Sequence, residues 1–411
     1  MHNNIEEIVK QTEQDIKPIH EKIGKLVEYN QERVLRAFQQ ERVSDAHFNS
    51  TTGYGYDDFG REKLEAIYAS IFGGEDALVR PQIVSGTHAI TVALFGLLRP
   101  HDELLYITGR PYDTLEEIVG SRGTNNGSLK EFGIDYNHVA LTEEGKVDFE
   151  RVKQMINERT KVIGIQRSKG YADRPSFTIA QIEEMIRFVK QINPNVYVFV
   201  DNCYGEFAEE LEPLHVGANI IAGSLIKNPG GGIVRTGGYI VGDEALVEQC
   251  ANRLTAPGLG KETGATLHTL QEMFQGIFLA PHVVGEAMKG AVFTARMLEH
   301  LGFTSSPSYD EKRTDLIQSV SFQTAEQMVA FCQEIQYASP INSHVKPYPS
   351  PMPGYESDVI MAAGTFIQGA SLELTADGPI RPPYMAFVQG GLTYEHVKIA
   401  IKAAVNKLIT E

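Results

Sequence analysis

The stretch Val196-Tyr-Val-Phe-Val-Asp-Asn-Cys203, taken with Ile220-Ile-Ala-Gly-Ser-Leu-Ile-Lys-Asn-Pro-Gly-Gly-Gly232, decides how this chain reads. Each half opens with a short β-branched or aromatic run and ends in polar residues. That is the pattern of a buried strand with chemistry at its carboxyl end. The first run delivers an acid, Asp201. The second delivers Ser224 and, three residues on, Lys227. A lysine that forms an imine, an acid that keeps a pyridine nitrogen protonated and a serine that reaches a phosphate together suit pyridoxal phosphate. Singly, each has a plainer reading: Asp201 as a turn cap, Lys227 as a surface lysine. Their combination, next to a glycine-rich loop, favours the cofactor. A lysine desolvated in such a pocket is expected to have a lowered pKa, which suits both imine formation and proton shuttling.

Outward from this pair, apolar runs recur at Ala77–Val84, Glu103–Thr108, Lys161–Gln166 and Gly238–Val241, with helical patterns such as Ile179–Ile192 between them. The alternation predicts crossover units and a mostly parallel sheet. Ligands in such sheets bind beyond the carboxyl ends of strands, where Ser85, Gly109, Arg167, Asp201 and Ser224 fall. Further runs at Leu316–Phe322, Asp358–Ala363, Ser371–Leu374 and Tyr384–Val388, with helices near 324–336 and 393–409, predict a second, smaller α+β unit. The expected organisation is a helical arm over 1–45, a large cofactor-binding domain over 46–285 and a small C-terminal domain over 286–411. Pro18 is expected to end or kink the first helix of the arm.

Composition narrows the function. A formal charge of −16 argues against nucleic acid and acidic membrane surfaces as partners. The 12 histidines and 3 cysteines show no metal-ligand spacing, and the odd, scattered cysteines suit a reducing cytoplasm. The start of the chain does not read as a signal peptide.

Other candidates follow from residue type and place. Ser85-Gly86-Thr87 opens an apolar helix, where free backbone N–H groups and a glycine admit a phosphate; an ordinary serine N-cap is the alternative. Without a P-loop or Gly-x-Gly-x-x-Gly, a single phosphate fits better than a nucleotide. Tyr112, after a strand, suits stacking on a pyridine ring or a place in the core. Arg381, in a proline-rich loop, suits a substrate carboxylate or a surface ion pair. Tyr54 and Tyr56, in Gly53-Tyr-Gly-Tyr-Asp-Asp-Phe-Gly60, suit either local packing or reach into a neighbouring subunit's site.

These residues resemble a family. Val200-Asp-Asn202, Ser224-x-x-Lys227, Ser85-Gly86 and Tyr112 are similar to the pyridoxal-phosphate-dependent cystathionine/methionine lyases of fold type I. Gly53–Arg61, Gly109–Glu117 and Gly223–Gly232 resemble, more closely, the cystathionine β-lyase-like "aluminium resistance" branch, over about residue 45 to the end. The resemblance implies a mostly parallel seven-stranded sheet in the large domain and a smaller α+β domain. It implies Lys227 as Schiff base and Tyr112 as stacked catalytic partner. Asp201 would sit at the ring nitrogen, with Ser85, Gly86, Thr87 and Ser224 at the phosphate. Arg381 and Tyr56 would face the substrate, an amino acid, in a homodimer or homotetramer with sites at the subunit interface. Two segments depart from the pattern. Tyr54-Gly-Tyr56 lacks the arginine of the family's Tyr-x-Arg pair, for which Arg61 is a candidate substitute, and Gln166-Arg-Ser-Lys-Gly-Tyr171 replaces the usual Asn-Pro.

The expected function is a cytoplasmic carbon–sulfur lyase eliminating a β- or γ-thiol, with transamination as the nearest rival. A rival of another class reads Ser224-Leu-Ile-Lys227 as the Ser-x-x-Lys of penicillin-recognising hydrolases, with Lys261-Glu-Thr-Gly264 as their Lys-Thr-Gly element. A non-catalytic binding protein on the cofactor fold is the remaining alternative.

Overall fold

The computed structural model describes residues 2–124, 126–352 and 355–410. Seven strands form the main sheet: β1 (Asp76–Arg80), β2 (Glu103–Tyr106), β3 (Asp135–His138), β4 (Thr160–Gln166), β5 (Tyr197–Asp201), β6 (Ile220–Ser224) and β7 (Gly238–Gly242). Their order is β1-β7-β6-β5-β4-β2-β3. β7 pairs antiparallel with both β1 and β6, while the remaining neighbours are parallel. β1 therefore points the same way as β6, and the carboxyl ends of β1, β2, β4, β5 and β6 share one rim.

The helices, in order, are α1 (His2–Gln40), α2 (Phe59–Phe72), α3 (Gly86–Leu97), α4 (Asp113–Val119), α5 (Phe149–Met155), α6 (Ile179–Ile192), α7 (Glu244–Leu254), α8 (Leu270–Glu299), α9 (Ala325–Tyr337) and α10 (Tyr394–Thr410). The sheet is apolar on both faces because helices cover both. Leu78, Phe199, Ile220 and Ala222 point into a core shared with α3 and α7. Val198, Val200, Ile221 and Val241 point into a larger one shared with α2, α6 and α8. This explains why β5 and β6 read as continuous hydrophobic runs rather than alternating ones. α6 begins and ends where its pattern predicts. Thr178 caps it, accepting from the Gln181 N–H at 3.2 Å while Gln181 Oε1 accepts from the Thr178 N–H at 2.9 Å.

A second, antiparallel sheet comprises β8 (Thr304–Ser306), β9 (Gln318–Ser321), β10 (Val359–Ala362), β11 (Thr375–Pro379) and β12 (Met385–Gln389), ordered β10-β11-β12-β9-β8. The run at Ser371–Leu374 is not the strand; the ladder starts at Thr375 and runs through Asp377-Gly-Pro379. The 285/286 boundary expected from the sequence falls inside α8, a continuous 30-residue helix.

The arm also differs from expectation. α1 is one 39-residue helix that passes through Pro18. Ile5, Val9, Ile16, Ile23, Val34 and Ala37 are all buried along one stripe. That stripe lies on α8, where Thr12 Oγ1 reaches the Met297 sulfur at 3.3 Å and Asp15 pairs with Arg296. Packing along the whole length outweighs the one hydrogen bond that Pro18 cannot donate. No described helix is long and apolar enough to cross a membrane.

Candidate active site

The strand ends meet at a cavity of about 290 Å³. Ser85, Gly86 and Thr87 line it from the start of α3, Tyr112 from the start of α4, and Gln166, Asp201 and Ser224 from the ends of β4, β5 and β6. Lys227 enters from the turn after β6. A short 3-10 turn, Asn228–Gly230, follows directly and fixes that lysine's direction. The turn is close enough that a Cβ on Gly230 would lie 1.8 Å from the Leu225 carbonyl oxygen, so only glycine closes it.

The anion end is built from α3. Ser85 Oγ accepts from the His88 N–H at 3.1 Å, so its side chain is an N-cap. Gly86 and Thr87 bring the first turn of α3 to the cavity wall, and α3 has 12 residues to align its dipole. Gly86 stands against the end of β6, where an added Cβ would lie 3.1 Å from Ser224 Cβ and 3.4 Å from Cys203 Sγ. That cradle suits a phosphate held by Gly86, Thr87 and Ser224.

The other end is charged and buried. Asp201 is buried, and its Oδ1 accepts from the Cys203 N–H at 3.2 Å. Burial pushes the Asp201 carboxyl up, and the charge on Lys227 works against that. A ring nitrogen that carries a proton would complete the pair, so the acid fits the pyridine end of the cofactor. Lys227 departs from expectation. Burial alone would depress its ammonium, but Tyr204, Cys203, Tyr112 and Asp201 around it outweigh that and hold it above the usual lysine range. The Lys227 amine lies 3.9 Å from the centre of the Tyr204 ring. The Tyr112 backbone N–H donates to Gln166 Oε1 at 2.8 Å, and its hydroxyl is engaged with Thr87.

Three expected residues do not converge here. Arg381 is exposed in the turn between β11 and β12, whereas the opposite end of β12 supplies Gln389 to the cavity. Tyr56 is 52% exposed and stacks on Tyr54 with centroids 5.5 Å apart, outside the cavity of its own chain. Arg61, the candidate for the absent cross-subunit arginine, is buried and spends its guanidinium on the carbonyls of Gly55, Gly264 and Glu262 at 2.6, 2.9 and 3.2 Å. Of the five expected rim residues, Gly109 and Arg167 stand on the rim, after β2 and β4, without lining the cavity. Arg167 turns beneath the sheet to Asn202 and Glu212, at 2.8 and 3.2 Å. Lys261 is tied to Asp76 and Glu65, and neither it nor Thr263 nor Gly264 lines the cavity that Ser224 lines, which leaves the hydrolase reading without its Lys-Thr-Gly element.

Sequence reasoning missed the aromatic wall. Tyr171, Tyr204 and Tyr355 line the cavity, as do Gln389 and Ile317 from the second sheet's segment. Tyr204 lay three residues past Asp201 and was the one within reach of a sequence signal. The others come from distant segments.

A seven-stranded, mostly parallel sheet with an acid closing β5 and a lysine after β6 defines the fold type I class of pyridoxal-phosphate enzymes. The chain belongs to the methionine gamma-lyase family, whose model matches residues 5–409. The Bacillus subtilis protein YnbB, of uncharacterised function, is 67% identical over 408 residues, spanning 98% of this chain and 97% of that one. A solved Listeria monocytogenes structure, described as a candidate cystathionine beta-lyase involved in aluminium resistance, is 64% identical with a TM-score of 0.96, covering 98% of this chain and 99% of that one. The pyridoxal-phosphate-dependent YhfS of Escherichia coli shares the fold, at 16% identity and a TM-score of 0.62, covering 93% of this chain and 97% of that one.

Proposed function

We propose that this protein is a pyridoxal-phosphate-dependent carbon–sulfur lyase acting on an amino acid. The observation that carries the reading is the meeting of Asp201, Ser224, Lys227, Tyr112 and the start of α3 around one cavity. When bound, the cofactor supplies an electron sink for charge that develops on the substrate's α-carbon. Gly86, Thr87 and Ser224 would hold its phosphate, Asp201 its ring nitrogen and Tyr112 its ring. Lys227 would hold it covalently. As a free amine, Lys227 would take the substrate's α-proton and, as an ammonium, return it to the departing sulfur. With its hydroxyl engaged by Thr87, Tyr112 acts as a stacking group, which leaves the proton transfers to Lys227. The tyrosine wall excludes water and strengthens every charge inside.

The family and the Listeria relative support a sulfur leaving group. We extend the proposal to a homodimer or homotetramer with sites near subunit boundaries, supported by Tyr54 and Tyr56 on one loop and Phe59 at the start of α2, which are 75%, 52% and 72% exposed. The three cysteines, all free, suit the cytoplasm as compartment. Within the chain we propose residues 1–45 as an arm, 46–285 as the cofactor-binding part and 286–411 as the part that closes the site.

The test is product analysis of purified protein loaded with pyridoxal phosphate and offered cystathionine, methionine and cysteine. A 2-oxo acid, ammonia and a thiol are expected. An amino group exchanged onto an added oxo acid, without thiol, would establish transamination instead. No turnover of any amino acid would favour a binding role.

A further inference from the structure

Tyr204 has a backbone φ of +69°, in the left-handed region that a tyrosine rarely adopts. Phe207, three residues on, has a φ of +62°. Two such residues in one turn are strained and persist where the surroundings enforce them. The enforcement is visible. Glu212 Oε1 accepts from the Phe207 N–H at 2.9 Å, and Glu212 Oε2 accepts from Asn202 Nδ2 at 3.1 Å. Arg167 clamps the same turn, so close that a Cβ on Gly205 would lie 2.5 Å from its Cδ. The turn spends this effort on placing one ring. Among the described residues six cations lie over aromatic rings, at 3.9 to 5.6 Å, and Lys227 over Tyr204 is the shortest.

We propose that Tyr204 is the positioning residue for Lys227: its ring face is the seat on which the free lysine side chain rests, at the mouth of β5 and β6. The inference rests on Lys227 being the cofactor lysine. It assigns the clamp beneath the sheet, Arg167 with Asn202 and Glu212, the task of keeping that seat in place. Displaced by a substrate, the lysine returns to the ring face rather than swinging free. The Tyr204 hydroxyl also faces Lys227 as a hydrogen-bond partner; the proposed role is that of the ring face, and a phenylalanine at 204 separates the two. The groups that also face Lys227 are Cys203, Tyr112 and Asp201, with Asp377 and Glu206 further out.

The test uses the full chain freed of cofactor and follows capture of added pyridoxal phosphate by visible absorbance across pH. Capture needs the neutral amine, so a seat that favours the ammonium delays it to higher pH. Tyr204→Phe keeps the ring and is expected to keep the wild-type midpoint. Tyr204→Leu is expected to move it down by about half to one pH unit, a three- to tenfold gain in capture rate below the midpoint. In the loaded enzyme Tyr204→Leu should lower kcat more than it raises KM, with Phe restoring both. Should the leucine variant fail to fold, replacement of Tyr204 by phenylalanines of increasing fluorination weakens the face without changing shape, and the midpoint should fall step by step. A leucine midpoint equal to wild type, a phenylalanine shift as large as that of leucine, or no effect of fluorination overturns the inference. Capture that persists unchanged in Lys227→Ala would instead overturn the assignment of the cofactor lysine, and the seat with it.

Discussion

Lys227 holds its charge in a place where burial alone would remove it, and the residues responsible were only partly visible beforehand. Asp201, Ser224 and Tyr112 could be found because each stands at a strand end, where polarity interrupts an apolar run. Tyr171 and Tyr355 could not, since an aromatic in sequence reads equally well as core; Tyr204 had only its nearness to Asp201 to mark it. Removing the lysine is the direct check at this scale. Lys227→Ala should lower kcat by roughly 10²–10⁴-fold while phosphate-anchored cofactor still binds, measured by steady-state kinetics and equilibrium dialysis. Arg381 gives an opposite expectation. Exposed and outside the cavity, it should tolerate Arg381→Ala with KM changed by less than about twofold; a tenfold rise would restore it to the substrate's carboxylate.

Glu206 supplies a pH dependence. It is fully buried behind the Lys227 turn, accepts from the Tyr239 hydroxyl at 2.6 Å, and has its second oxygen unpartnered. Burial pushes its carboxyl up to about 8. A raised acid favours the folded state most while protonated in both states. Its contribution is therefore full at low pH and is lost as pH climbs from the ordinary glutamate range through about 8. Glu206→Gln mimics the protonated form. It should melt like wild type near pH 5 and be more stable by roughly 1–3 kcal/mol at pH 9, read from denaturant midpoints. A variant less stable at both pH values would contradict this.

At the scale of elements, the long apolar strands and α6 were legible because their patterns agree with their burial. β3, Asp-Tyr-Asn-His, was not, since it lies at the sheet's edge with little apolar content. β11 was missed for a related reason: Asp377, Gly378 and Pro379 are poor strand formers, and pairing on both sides overrides them. α1 was legible as a helix but not as one helix, because Pro18 outweighs its neighbours in sequence while α8 outweighs it in space. Pro18→Ala should therefore raise stability by about 1–3 kcal/mol, seen as a higher Tm. Gly230→Ala should do the reverse, costing about 3 kcal/mol or more and disturbing the lysine's turn, because its Cβ has nowhere to go.

At the scale of the molecule, the large sheet provides the acid, the lysine and the phosphate cradle. The segment carrying the second sheet adds Ile317, Tyr355 and Gln389 to the same cavity. That convergence across more than a hundred residues has no counterpart in local sequence, which is why the cofactor's end was readable and the substrate's end was not. Everything rests on a covalent tie at one position. Borohydride reduction of the yellow, cofactor-loaded protein, followed by digestion and mass spectrometry, measures it most directly. The expected result is a single pyridoxyl-bearing peptide, modified at Lys227. Modification at another lysine, or a protein that never takes up colour, would contradict the account.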